Sequence, residues 1–290
     1  MSQKNILIFN ICLNLKNQLF KKRKPKMYKL FTRIKNFFYK YIFNYLKYEF
    51  TEFIPNSKSR EYQKNELIKT NIKNYTSSML KISQWFYKPD VIYLSNLKVD
   101  RNVTNSIHDM FENHGSDKNK HGYDILYSYI FSKISNNPTI LEIGIGTNNI
   151  QVASNMGKHG KPGASLRAFS QYFPNSEIFG ADVDKNILFN TENIKTFYLN
   201  QNDIGTFDNK LIENKKFDLI IDDGLHMQSA NLNTLRFSLD RLNENGTLVI
   251  EDIPSSALDT WKIVATLLGD PFDLEIVQCI DNFVVILYRK

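Results

Sequence analysis

The chain has 290 residues, more than the commonest domain size, and its 42% hydrophobic content excludes wholesale disorder. Its net charge of +7 is unevenly distributed: residues 1–50 hold 12 Lys/Arg against one acid, a net +11, and the rest hold 25 Lys/Arg against 29 acids, a net −4. The two cysteines, Cys12 and Cys279, argue against a disulfide framework and a cysteine-rich metal site, and favour a reducing cytoplasm.

The basic excess lies in the N-terminal segment. Over residues 26–50, basic residues recur every seven positions and aromatic residues follow steps of three and four, which predicts an amphipathic helix. Such a helix would lie either on the inner face of an anionic membrane or against a protein surface, on the body of the chain or on a partner. The acidic body argues against nucleic acid as a partner. No apolar run is long enough to span a bilayer, and the opening NILIFNICL lacks a signal-peptide cleavage site.

Three regions follow one another along the chain. We predict a basic aromatic extension over 1–60, a linker and helical lead-in over 61–137, and an alternating strand–helix domain over 138–290. The predicted strands are 139–144, 176–184, 195–203, 217–221, 246–253, 273–280 and 282–290, and the helices between them are 165–173, 229–242 and 256–268. This order predicts a doubly wound, mostly parallel, seven-stranded Rossmann-like α/β sheet with one antiparallel strand and an N-terminal helical extension.

Polar residues or glycines follow each of the first five predicted strands. In a doubly wound sheet, ligands bind outside the carboxyl ends of the strands, so these residues should be considered together. They are Gly144 and Gly146, Asp182 and Asp184, Asn202 and Asp203, Asp222 to His226, and Glu251 with Asp252.

The glycine turn after the first strand indicates a cofactor. A dinucleotide turn requires a third glycine, and Asn149 stands in its place. A cofactor with ribose and adenine but no pyrophosphate fits better, which predicts S-adenosylmethionine, with Asp182 at the ribose and Asn202 and Asp203 near the adenine. The predicted cofactor-binding residues are Glu142, Gly144, Gly146, Ser165, Asp182, Asn202, Asp203 and Asp222.

Over residues 105–255 the sequence resembles class I S-adenosylmethionine-dependent methyltransferases. Within that class it is similar to the metal-dependent sugar O-methyltransferases of the mycinamicin type and to the related cephalosporin-hydroxylase-like proteins. The motifs that carry the resemblance are SDKNKHGYD, LEIGIG, GASLRAFSQYFP, GADVD, IIDDGLHM and VIEDI. LEIGIG is shared by many methyltransferases, whereas DDGLH followed by IED is specific.

The sequence departs from the family in the loop 147–162 and at Phe169, where relatives often have tryptophan. Both are expected to flank the cofactor and acceptor pocket, which leaves the acceptor open.

The resemblance implies a divalent metal, usually magnesium, held by Asp223, Glu251 and Asp252, with His226 as the general base. The residue pattern agrees, because neighbouring parallel strands would bring these carboxylates together and they would then need a cation. Oxygen ligands without cysteine favour Mg²⁺. His226 follows Asp223 by three residues and could accept a proton from a sugar hydroxyl.

These features predict a cytoplasmic, metal-assisted O-methyltransferase acting on a sugar hydroxyl of a glycan, lipid-linked saccharide or secondary metabolite. The segment 116–124 supplies candidate substrate or cap residues, Lys118, His121 and Tyr123. Two alternatives stay open. The first is a hydroxylase or oxidoreductase on the same scaffold, but the sequence has neither the third glycine of a dinucleotide turn nor a two-histidine iron motif. The second is a non-enzymatic, membrane-docked binding protein. The sequence leaves the oligomeric state open.

Overall fold

The computed structural model of the chain describes residues 74, 77–79, 81–82 and 89–290. The chain divides into two units, Met1–Tyr75 and Thr76–Lys290, and the second holds the sheet. The predicted extension over 1–60, including the helix over 26–50, lies outside the described residues. Among the helices that are described, none is both long and apolar enough to cross a membrane.

From β2 onward the described region consists of strands interspersed with helices and single helical turns. Its strands are β1 Val91–Tyr93, β2 Thr139–Ile143, β3 Glu177–Asp182, β4 Ile194–Tyr198, β5 Phe217–Asp222, β6 Leu242–Ile253, β7 Phe272–Gln278 and β8 Phe283–Arg289. Its α-helices are α1 Arg101–His114, α2 Tyr123–Phe131, α3 Ala164–Tyr172, α4 Gln228–Arg241 and α5 Leu258–Leu268. A single helical turn, Lys118–His121, joins α1 to α2.

The strands form one sheet in the order β1-β7-β8-β6-β5-β2-β3-β4. β8 runs antiparallel to both of its neighbours and the other pairings are parallel, which confirms the predicted doubly wound sheet with one antiparallel strand. The sheet has eight strands rather than the seven predicted, because β1 pairs with β7, Val91 opposite Ile276. A strand of three residues is too short for its alternation to be recognised in the sequence.

The winding reverses at β2. From β2 the chain builds outward through β3 and β4, and it then crosses to the other side of β2 to build β5 and β6. Asp222 at the end of β5 lies opposite Ile143 of β2 and Ile250 of β6. The carboxyl ends of β2 and β5 are therefore level at the switch point, where ligands bind in such sheets, and β6 continues beside them for three further residues.

Helices α1, α2 and α3 cover one face of the sheet with an aromatic layer. α1 starts after Asp100, whose side chain accepts a hydrogen bond from the Asn102 amide, and it ends at Gly115 with φ 76°. Phe169 of α3 is buried, and its ring lies 5.5 Å from Tyr127 of α2 by ring centroids. The segment 101–131 thus shares one hydrophobic core with the sheet. Phe169 thus supports Tyr127 within that layer, and its expected place beside the cofactor and acceptor pocket stays a prediction.

The opposite face carries a second apolar cluster. Leu235 of α4 and the fully buried Trp261 of α5 pack there with residues of the inner strands, among them Phe217. Strands β2 and β5 are buried almost throughout, as expected of parallel strands covered on both faces. The rigid centre of the sheet consequently fixes the positions of the strand ends that form the site.

Candidate active site

The acidic residue after β5 and the two near the end of β6 lie together, because the two strands are parallel neighbours as predicted. We call Asp223, Glu251 and Asp252 the acidic rim. The Asp223 amide donates to the carbonyl of Ile143 at 2.8 Å, which joins the turn after β5 to the end of β2. Glu251 is buried, whereas Asp223 and Asp252 are partly exposed.

A lysine ammonium lies among the buried carboxylates. Lys118 Nζ is 2.7 Å from Asp223 Oδ2 and 2.5 Å from Glu251 Oε2. It is also 3.5 Å from Glu142 Oε1, at the end of β2. Burial disfavours the ammonium, but the charges of the three carboxylates outweigh it and hold the pKa of Lys118 well above its ordinary value. Lys118, the candidate substrate or cap residue, is therefore a buried cation at the centre of the site.

Two tyrosines of α2 hold the acidic pair at the end of β6. Tyr123 donates to Asp252 Oδ1 at 2.7 Å, and Tyr127 donates to Glu251 Oε1. Residues four apart lie on one face of a helix, so a single face of α2 reaches both carboxylates. Burial raises the pKa of both phenols, and the nearby carboxylates raise it further, so both stay protonated as donors. Asn282, in the turn between β7 and β8, also donates to Asp252 Oδ1, at 2.9 Å.

Asp223, His226 and Asp252 form the outer part of the site. One ligand atom from each lies within 4.8 Å of the other two. His226 Nε2 is 3.9 Å from Asp223 Oδ1 and 3.8 Å from Asp252 Oδ2, and each side chain is about one-third exposed. The His226 Nδ1 atom is buried and has no hydrogen-bond partner among the described residues. Two carboxylates and an imidazole at this spacing suit a divalent cation.

The backbone is strained at two of these positions. His226 has φ 54° and Asp252 has φ 56°, in the left-handed region that residues with a side chain rarely adopt. Strain of this kind costs about 1–3 kcal/mol per residue and persists where the surroundings impose it, commonly at functional sites. Tyr123 and Asn282 supply such constraints at Asp252.

The glycine turn after β2 lies directly against the turn after β5. Gly144 has φ 88°, and a Cβ placed on it would lie 2.2 Å from the backbone oxygen of Asp223. Asp182, at the end of β3, supports the same turn by accepting the amide of Ile145 at 3.0 Å. Its other oxygen accepts the Asp184 amide at 2.9 Å. The predicted ribose contact of Asp182 stays a prediction, as does the cofactor contact of Gly146.

Asp222 and Ser165 are buried in hydrogen bonds within the protein. Asp222 accepts from Gln201 Nε2 at 2.7 Å and from Asn231 Nδ2 at 3.1 Å. Gln201 Oε1 in turn accepts the amide of Leu225 at 2.7 Å, so this pair fixes the turn that carries Asp223 and His226. Ser165 donates to Glu142 Oε2 at 2.5 Å. The predicted contacts of Asp222 and Ser165 with a cofactor stay predictions.

The remaining predicted residues lie further out. Asn202 and Asp203 are exposed in the loop after β4, where Asp203 accepts the amide of Gly205 at 3.1 Å. Their adenine contact stays a prediction. His121 is about one-third exposed, and its Nδ1 lies 3.1 Å from Asp281 Oδ2 in the turn between β7 and β8.

No family model matches the chain. Over 143 residues, 48% of this chain, it is 30% identical to an 8-demethyl-8-(2-methoxy-alpha-L-rhamnosyl)-tetracenomycin-C 3'-O-methyltransferase of Streptomyces olivaceus, covering 35% of that protein. Over 115 residues, 39% of this chain, it is 30% identical to the mycinamicin VI 2''-O-methyltransferase of Micromonospora griseorubida, covering 27% of that protein. The chain thus spans about a third of the length of the curated relatives it matches.

Among solved structures, the MycE methyltransferase of the mycinamycin biosynthetic pathway, in complex with Mg and SAH, is similar to this chain. The match has a TM-score of 0.50 and 22% identity, and it covers 63% of this chain and 54% of the other. The described region has the class I S-adenosylmethionine-dependent methyltransferase fold. In the methyltransferase fold of this chain, the glycine turn and the acidic rim lie side by side at the switch point.

Sequence reasoning missed three side chains that complete the site in this methyltransferase fold. They are Tyr127, Gln201 and Asn282. Tyr127 could have been found from its spacing of four from Tyr123 on a predicted helix. Nothing in the sequence pattern marks Gln201 or Asn282, because each is a single amide in a loop.

Proposed function

We propose that the chain is an S-adenosylmethionine-dependent O-methyltransferase whose acceptor is a sugar hydroxyl of a small-molecule glycoside, assisted by a divalent cation. The proposal is supported by the methyltransferase fold and by the similarity to O-methyltransferases named for the sugars of tetracenomycin and mycinamicin. The observation that carries it is the position of Asp223, His226 and Asp252 beside the glycine turn at the carboxyl ends of the strands.

The partly exposed oxygens of the site fit a hard cation such as Mg²⁺. Asp223 Oδ1 and Asp252 Oδ2 both face His226, and neither is used by the tyrosine and lysine contacts described above. Asp223 and Asp252 would hold the cation, whose positive charge would lower the pKa of a neighbouring sugar hydroxyl. Glu251, the third ligand that the resemblance implies, is paired with Lys118 and Tyr127.

His226 is the proposed general base. Its Nε2 lies beside both carboxylates, so they would stabilise the imidazolium that forms when it takes the proton of the acceptor hydroxyl. The acceptor oxygen then forms a bond to the methyl carbon as the bond from that carbon to the sulfonium sulfur breaks, which leaves S-adenosylhomocysteine. The rigid strand ends contribute by holding the two reactants in line.

Cofactor binding is the first test. Isothermal titration of S-adenosylmethionine into the full chain should give a saturable signal, and absence of binding would reject the proposal. The second test is transfer of a labelled methyl group to a panel of glycosides and to their aglycones. Transfer to glycosides alone is the expected result, and transfer to the aglycones would show that the acceptor is not a sugar.

A further inference from the structure

Lys118 divides the site into two sets of side chains. The Lys118 side chain is 4% exposed, and its ammonium contacts carboxylates from three neighbouring strands: Glu142 at β2, Asp223 after β5 and Glu251 in β6. We call Lys118, Glu142 and Glu251 the inner set. Asp223, His226 and Asp252 are the outer set. Asp223 links the two, with Oδ2 toward Lys118 and Oδ1 toward His226.

The inner set is a buried network built around the Lys118 ammonium, in which Glu142 Oε1 is 3.5 Å from that ammonium and has no hydrogen bond among the described residues. A buried ion costs several kcal/mol unless it is paired and hydrogen-bonded. Glu251 has both partners, since Lys118 binds Oε2 and Tyr127 donates to Oε1. Glu142 receives the Ser165 hydroxyl on Oε2 and faces the ammonium with Oε1. A cation entering this space would have to displace the ammonium from its carboxylates.

The outer set differs from the inner set in exposure, in backbone conformation and in hydrogen bonding. Its side chains are about one-third exposed, and both His226 and Asp252 are held at positive φ. Within the described region, the carboxylate oxygens that face His226 take part in no hydrogen bond of the tyrosines or of Lys118. This set can therefore accept a cation without displacing the Lys118 ammonium from the carboxylates that it binds.

We propose that Lys118 is a positioning residue that assigns the acids their roles. Its ammonium occupies the inner set and keeps Glu251 out of the metal coordination sphere. By binding Asp223 Oδ2 it leaves Oδ1 to act with Asp252 on the divalent cation. Glu251 then acts only through Lys118, in contrast to its role as a ligand in the pattern that the family resemblance implies. The inference rests on the proposed function, because it takes the outer set as the place of the cation.

The test is Mg²⁺ binding by isothermal titration to the full chain with S-adenosylhomocysteine present. Asp252→Asn should weaken Mg²⁺ binding by about tenfold or more, and Glu251→Gln by less than about threefold, because only the former carries a ligand. Lys118→Met should instead strengthen Mg²⁺ binding by about tenfold or more, since three carboxylates lose their cation, while methyl transfer falls. A merely structural lysine would not give tighter binding with lower turnover.

Further variants keep the test decisive. Lys118→Arg should restore wild-type Mg²⁺ affinity, and the double variant Lys118→Met/Glu251→Gln should lose the gain. Lys195→Met, which removes a surface ion pair with Glu177, is the matched control and should change nothing. If Lys118→Met fails to fold, the comparison of Glu251→Gln with Asp252→Asn still decides the question.

Two results would overturn the inference. Equal loss of Mg²⁺ binding in Glu251→Gln and Asp252→Asn would show that the cation displaces the ammonium and sits among the inner carboxylates. A wild-type chain that binds no Mg²⁺ would show that the outer set is not a metal site. Methyl transfer itself is judged separately, because cofactor binding and transfer by the wild-type chain can succeed under either result, and only the proposed assistance by the cation would fall with the second.

Discussion

At the scale of single residues, the two oxygens of Asp223 have different neighbours. Oδ2 is 2.7 Å from the Lys118 ammonium, and Oδ1 is 3.9 Å from His226 Nε2. Asp252 is divided in the same way, since Tyr123 and Asn282 bind Oδ1 while Oδ2 faces His226. Each of these two carboxylates thus has one oxygen held by neighbouring side chains and another that faces His226. This arrangement orients the free oxygen before any ligand binds.

Asp252→Asn tests the outer set without disturbing its hydrogen bonds, because the amide oxygen can still accept from Tyr123 and Asn282. We expect methyl transfer to fall by about a hundredfold or more, since a charged ligand is lost. The dissociation constant for S-adenosylmethionine should change by less than about threefold, because the predicted cofactor contacts lie mainly on other strands. EDTA should reproduce the defect in the wild-type chain.

The control for this variant is Asp259→Asn, at an exposed position of α5. Undiminished turnover in EDTA would contradict metal assistance.

Glu142→Gln tests the protonation of the inner set. Burial raises the pKa of Glu142 from 4.5 to about 7, against the lowering effect of Lys118. Between these values the folded state keeps a proton that the unfolded state loses, so the free energy of unfolding falls as pH rises. The total fall is roughly 3 kcal/mol, about 1.4 kcal/mol for each pH unit of the window. Urea unfolding from pH 4.5 to 7.5 should show this decline in the wild-type chain and a shallower one in the variant.

The surface carboxylate Glu177 serves as the control for that pH series. Its pKa is lowered, because hydrogen bonds from Lys215 and Lys195 outweigh its burial. A lowered pKa contributes stability that is lost as pH falls, the opposite sign to Glu142. Glu177→Gln should therefore leave the decline between pH 4.5 and 7.5 in place. If Glu177→Gln makes the decline as shallow as Glu142→Gln does, the buried Glu142 carboxyl is not the source of the difference.

At the scale of elements, the sequence predicts which polar residues end the strands, but it does not predict the side-chain contacts between distant segments. The apolar runs of β2 to β6 and the polar residues that end them are local patterns, so the rim carried by Asp223 and Asp252 followed from the parallel order alone. The contacts of Lys118 with Asp223 and Glu251 join residues 105 and 133 positions apart. No periodic pattern encodes such a pair, so Lys118 could be recognised from a motif but its place among the carboxylates could not.

The close approach of the turns after β2 and β5 makes Gly144 sensitive to substitution, and Gly157 supplies a matched comparison. Both have positive φ, but a Cβ on Gly144 would meet the backbone of Asp223 at 2.2 Å, whereas one on Gly157 would meet nothing within 4 Å. Gly157→Ala should cost about 1–2 kcal/mol in unfolding free energy from backbone conformation alone. Gly144→Ala should cost about 3 kcal/mol or more and should also abolish cofactor binding, because the turns must separate. Equal costs in urea unfolding would show that the contact is not tight in solution.

At the scale of the whole molecule, the charge is separated along the chain. Residues 1–50 carry a net +11, and the remainder, which includes the sheet and the site, carries a net −4. The described strands, the glycine turn and the acidic rim all lie beyond residue 90. The amphipathic helix predicted over 26–50 would suit contact with an anionic membrane.

Membrane contact through that segment can be tested with a charge-matched pair of variants of the full chain. The test variant replaces four basic residues by glutamine: Lys26, Arg33, Lys40 and Lys47. The control replaces four exposed lysines of the described region by glutamine: Lys98, Lys185, Lys210 and Lys216. Each basic residue near an anionic surface contributes roughly 1 kcal/mol, so the test variant should lose roughly two to three orders of magnitude in affinity for vesicles containing phosphatidylserine. The control should lose much less, and added salt should weaken wild-type binding.

Both variants should keep S-adenosylmethionine binding, because the site lies elsewhere in the chain. Wild-type protein that ignores these vesicles at low salt would show that the segment contacts protein instead. Binding would make a membrane-associated glycoside the first acceptor to try.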